Sequence, residues 1–153
     1  MRKSAILHGL LAELEAVTRG PDSALASVDE GLAIAADTGD RFSDPYLHRL
    51  RGDILRRHNP ADPAAAEDAY RTAIAIAKQH GARSYELIAS LALAKLYQST
   101  ARPVEAHAIL AAALEGFTPT PEMPEIAEAQ ALLESLAHGG EEVIASKDQP
   151  TQG

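Results

Sequence analysis

Residues 66–77 read Ala66-Glu67-Asp68-Ala69-Tyr70-Arg71-Thr72-Ala73-Ile74-Ala75-Ile76-Ala77. Counted from Ala66, apolar residues stand at +3, +4, +7, +10 and +11, as Ala69, Tyr70, Ala73, Ile76 and Ala77. That spacing is one face of a helix with 3.6 residues per turn. Upstream, Asp62-Pro63 supplies a capping side chain and then a proline, which is tolerated at the first helical position. Downstream, Gly81 is the residue favoured just past a helix end. Asp44-Pro45 opens the preceding segment in the same way, and that segment ends near His58, before Asn59-Pro60. Worked outward, the punctuation predicts helices over about 2–18, 22–38, 44–58, 62–80, 83–99, 103–115 and 124–138. Thr118-Pro119-Thr120-Pro121 reads as a stiff connector. The other connectors are short, which implies antiparallel hairpins.

An internal repeat emerges when the hairpins are superposed. A small residue in the first helix of each recurs at Ala12, Gly52 and Ala94. Another in the second helix recurs at Ala24, Ala66 and Ala106, with offsets of 42 and 40 against 40 and 42 in the first helix. Four positions later stand the larger Val28, Tyr70 and Leu110. Two small residues at a helix crossing let the backbones approach, and the larger neighbour fills the space beside it.

Composition agrees. The 153 residues suit one domain, and 46 % are hydrophobic but only 4 % aromatic. Alanine and leucine, strong helix formers, supply most of the apolar content. No alternating β-branched or aromatic run suggests a strand. A net charge of −8 disfavours a general nucleic-acid or anionic-membrane binder. The absence of cysteine excludes disulfides, thiol catalysis and cysteine-ligated metals. No run approaches the roughly 18–20 apolar residues of a membrane span. Met1-Arg2-Lys3-Ser4 lacks a signal-peptide pattern, so a cytoplasmic chain is expected.

The repeated small–small–large pattern over residues 5–116 resembles the tetratricopeptide repeat (TPR) family. The resemblance implies an all-α, TPR-like superhelix of three antiparallel hairpins, at about 2–39, 43–81 and 82–117, closed by a capping helix at 124–138. Residues 139–153, poor in apolar content, read as a disordered tail whose deletion leaves stability nearly unchanged. There are departures from the family. His8, His48 and Ser90 stand where tryptophan is usual, Glu15 stands where an aromatic is common, and the period exceeds the usual spacing of about 34. More narrowly, Tyr46–Leu55, Ala66–Ala77 and Gly81–Leu87 look like the C-terminal TPR region of large bacterial signalling proteins. Those combine a class III adenylate/guanylate cyclase domain with an AAA-type ATPase module. The resemblance implies a protein-interaction scaffold serving such a protein, as its terminal repeats or as a stand-alone relative. The alternatives are a structural oligomerisation segment with an empty groove, and a non-catalytic fragment of a cyclase.

Chemistry is not expected of this chain. There is no phosphate loop of the form GxxxxGK[ST] and no strand to carry a cyclase site. The six histidines include no pair at the HExxH or i,i+4 spacing of a metal site. The serines lack a nucleophile-elbow context. Catalytic residues, metal and cofactors are therefore all read as none.

Two surfaces are singled out. In the geometry the resemblance implies, Tyr46, Arg49, Asp53, Arg56 and Arg57 line a concave groove, joined by Ile88, Leu91, Lys95, Gln98 and Ser99 of the next repeat. One reading is a basic strip of Arg49, Arg56 and Lys95 that receives a protein or acidic peptide. The other is ordinary solvation, with Arg49 and Asp53 paired at i,i+4 and Arg56-Arg57 complementing the helix dipole. An asparagine-based carboxylate clamp is not matched, because Asp53 and Lys95 stand at its position. On the first helix, Ile6, Leu7, Leu10, Leu14 and Val17 point away from its own hairpin. Exposing them would be costly at roughly 1.5–3 kcal/mol per buried side chain. The expectation is a homodimer through that helix, or cover by a preceding repeat of a longer chain.

Overall fold

The computed structural model describes residues 4–39, 41–117 and 124–147, with 138–147 described as backbone alone. Among the described residues the fold is all-α, with seven helices and no strand. They are α1 Ala5–Thr18, α2 Pro21–Thr38, α3 Asp44–His58, α4 Ala64–Gln79, α5 Arg83–Ser99, α6 Pro103–Leu114 and α7 Pro124–Lys147. Proline stands in the first turn of α2, α3 and α6. Gly39, Gly81 and Gly116, after α2, α4 and α6, adopt φ of 73°, 63° and 86°. That left-handed conformation carries no steric penalty in glycine, which is why those helices stop there. The proline-rich connector before α7 lies outside the described residues.

Each helix packs on its sequence neighbours, and the odd helices also pack in a row, α1 on α3, α3 on α5 and α5 on α7. The even helices touch only their sequence neighbours. The six small residues of the repeat, Ala12, Gly52, Ala94, Ala24, Ala66 and Ala106, are all buried, as are Val28, Tyr70 and Leu110 beside them. Gly52 is where a side chain cannot fit. A Cβ there would come within 2.6 Å of Tyr70 Cε1 and 2.7 Å of its Cδ1. The Tyr70 hydroxyl donates to Asp53 Oδ1 at 2.5 Å, which fixes the ring over the glycine.

The apolar interior falls into two clusters. One joins α1–α3 through Ala12, Val28, Leu47, Leu50 and Ile54. The other joins α4–α7 around Tyr70, Leu87, Leu93, Tyr97 and Leu110, with Leu55 of α3 packed against it. Phe42 and Tyr85 meet edge-on with ring centroids 5.9 Å apart.

One boundary differs from the sequence reading. The last helix was expected to end at 138, before a stretch poor in apolar residues, but α7 continues to Lys147, so 139–147 is helical and not part of an unstructured tail. Two glycines weaken a helix by about 1 kcal/mol each relative to alanine. They do not stop one that continues through Glu141-Glu142-Val143-Ile144-Ala145 with no proline before Pro150. Residues 148–153 lie outside the described residues.

A polar staple closes the junction of α4, α5 and α6. Glu67 accepts hydrogen bonds from Arg71, from Arg102 and from the Tyr97 hydroxyl, all at 2.9 Å. Arg102 also lies over the Tyr97 ring, 4.2 Å from its centroid. Burial raises the Glu67 pKa, but the hydrogen bonds from Arg102, Arg71 and Tyr97 outweigh it and hold the carboxyl below its ordinary value. A depressed folded pKa stabilises the fold above the unfolded carboxylate range and loses that contribution as pH falls through the folded value. Glu67→Gln is therefore expected to melt below wild type at pH 7. The gap should narrow progressively below about pH 4–5. Thermal melts of both proteins from pH 7 to pH 2.5 check this, and a constant gap would refute it.

Candidate functional site

The row of odd helices forms a hollow of about 690 Å³. On α3, Arg49, Asp53, Arg56 and Arg57 share one face because they are spaced four, three and one residues apart. On α5, Ile88, Leu91, Ala92, Lys95 and Ser99 do the same. Thus most of the groove residues read from the sequence come together. Gln98 belongs to an adjoining recess shared with Arg56, Lys95, Glu128 and Leu132. Tyr46 stands apart: its ring packs against Gly9 of α1, and it reaches the groove only through the Arg49 guanidinium, 5.4 Å from its centroid. Burial, together with the nearby Glu13 carboxylate, raises the Tyr46 pKa, so the hydroxyl stays protonated.

The electrostatics differ from a plain basic strip. Arg49 donates to Asp53 Oδ2 at 2.7 Å, the i,i+4 pair that the sequence allowed. Lys95 pairs with Glu128 of α7. Arg51, also on α3, is turned away and pairs with Asp29 of α2. Among the described residues this leaves Arg56 and Arg57, at the C-terminal end of α3, as the groove cations without a carboxylate partner. Sequence reasoning missed the third wall. Glu125 and Glu128 of α7 line the same hollow, on a helix that the sequence reading took only as a cap. The signal was local: two glutamates three apart share a helix face, but only packing on α5 shows which way that face looks.

The second surface is where the sequence put it. Ile6, Leu7, Leu10, Leu14 and Val17 are exposed, from 44 % at Ile6 to 80 % at Val17. Leu11 is exposed beside them. The inward face of α1 carries small or polar residues instead, with Gly9 and Ala12 buried and Glu15 accepting a hydrogen bond from Ser27 of α2 at 2.7 Å.

Among the described residues no group of three His, Asp or Glu side chains is placed to hold a metal ion. No helix among them is long and apolar enough to cross a membrane. The chain matches no protein-family profile, and comparison with curated proteins and with solved structures gives no match.

Proposed function

We propose that this chain is a protein-interaction scaffold of the TPR kind, a short superhelix of three hairpins and a closing helix with no chemistry of its own. It holds a segment of a partner protein in the α3–α5–α7 hollow and pairs with a second copy through α1. The reading rests on one observation: the odd helices stand in a row and leave a hollow carrying two guanidinium groups with no carboxylate partner among the described residues, in a chain of net charge −8. The resemblance to the terminal repeats of bacterial cyclase/ATPase signalling proteins supplies the context, a cytoplasmic module that couples a partner to such an enzyme. The exposed apolar face of α1 favours an oligomerisation role beside the groove.

The groove is tested with a labelled synthetic peptide carrying an Asp-Glu pair beside leucine. Its affinity is expected to fall as salt rises from about 50 to 500 mM, because exposed charge attraction is screened beyond about 10 Å at 0.1 M. Arg56→Glu with Arg57→Glu should weaken binding at least about tenfold, the effect of losing some 1.4 kcal/mol. Affinity indifferent to both would rule the groove out as an anion-reading surface.

A further inference from the structure

The three walls of the hollow carry different charges. The α3 wall holds Arg56 and Arg57, without a carboxylate partner among the described residues, beside the Arg49–Asp53 pair. The α7 wall holds Glu125 and Glu128, and Glu128 already engages Lys95. The floor between them is α5, presenting Ile88, Leu91 and Ala92. We infer that the groove is bipolar and selects a segment that is acidic at one end, apolar in the middle and basic at the other, with its acidic end on Arg56 and Arg57 and its basic end on Glu125. This rests on the scaffold reading and narrows it, because a uniformly acidic peptide would set carboxylates against the α7 wall. Like charges facing each other across an interface are a strong means of rejecting partners.

The geometry also sets a length. Adjacent packed helices stand about 8–10 Å apart, so α3 and α7, on either side of α5, are separated by roughly 16–20 Å. An extended chain rises about 3.3 Å per residue, so the two charged ends belong about five or six residues apart.

Three synthetic peptides with the same leucine-containing centre test this by fluorescence titration against the full chain. One carries Asp-Glu at one end and Lys-Arg at the other, one carries Asp-Glu at both ends, and one carries Lys-Arg at both. The bipolar peptide is expected to bind at least about fivefold more tightly than the doubly acidic one, a difference near 1 kcal/mol. Glu125→Lys should erase or invert that preference. Glu125 is half-buried in the first turn of α7, where lysine opposes the helix dipole, so Glu125→Gln is the companion variant: it should keep the helical circular dichroism and still erase the preference. Glu125→Lys with Glu128→Lys should favour the doubly acidic peptide outright. If the doubly acidic peptide binds wild type as well as the bipolar one, or Glu125→Lys leaves the ranking unchanged, the bipolar inference is wrong and the scaffold stands. If none of the three binds, the groove reading falls and takes this inference with it.

Discussion

Light scattering after size exclusion is expected to give the mass of two chains for the wild-type protein and of one chain for the Leu7→Glu, Leu14→Glu variant. Leu7, Leu10, Leu14 and Val17 are spaced three, four and three residues apart, the repeat of a coiled-coil seam. Leu7, Leu14 and Val17 are each more than 60 % exposed, with Ile6, Leu10 and Leu11 beside them. At these exposures the six side chains leave about 600 Å² of contiguous apolar surface, the upper end of what a typical monomer carries. Two copies joined face to face would bury about 1,200 Å² in all, the lower end of a specific interface. A patch used twice is self-complementary about a two-fold axis, the commonest closed symmetry. Two glutamates per chain in the middle of that seam would be buried without partners, which outweighs the apolar gain. The side chains are exposed within one chain, so the variant should keep its helical circular dichroism. A wild-type chain that is monomeric at several hundred micromolar would refute the pairing and leave the face to a neighbouring hairpin of a longer protein.

Gly52→Ala should destabilise the chain although alanine is the better helix former. The new methyl would sit 2.6 Å from Tyr70 Cε1, and the ring cannot retreat because it is wholly buried and held by Asp53. Overpacking of this kind costs about 1–3 kcal/mol, against a gain of about 1 kcal/mol in helix propensity. Gly52→Val adds branching and should cost more. Tyr70→Ala, from the other side, leaves a cavity and should cost about 3–5 kcal/mol. The chain suggests its own remedy. The first and third hairpins use Ala12 with Val28 and Ala94 with Leu110, an alanine with a smaller partner, where the second uses glycine with tyrosine. Gly52→Ala combined with Tyr70→Leu should therefore recover much of the loss expected from the two changes added separately, the non-additivity of residues in contact. Denaturant melts of the four proteins check this, and strict additivity would contradict it.

These two sites also mark what the sequence can and cannot reveal. Small and large residues recurring at offsets of 40 and 42 located the buried crossings, because packing at a helix crossing demands fixed residue sizes at fixed positions. Prolines and glycines located most helix ends for an equally local reason. The end of α7 was misread because low apolar content was taken as the end of the helix, whereas the backbone stays helical to Lys147. In the groove, the Arg49–Asp53 pair was visible from its i,i+4 spacing. The Lys95–Glu128 pair was not, since its partners lie 33 residues apart and meet only through the packing of α7 on α5. The sequence thus showed the cations of α3 but not which of them another helix would neutralise.

The division of the interior into two clusters has a mechanical consequence. The α1–α3 cluster and the α4–α7 cluster have no buried residue in common, and α3 carries most of the joint between them. That joint is closed by the Tyr70 ring over Gly52 and by Leu55, so α3 couples the two interiors, and the separation of α3 from α7 is the coordinate that a ligand in the hollow sets. A segment held at one end by Arg56 and Arg57 and at the other by Glu125 spans that coordinate and would act as a brace. Its signature would lie away from the groove: amide exchange should slow in α2, which the ligand does not touch, together with that in α5, which it does.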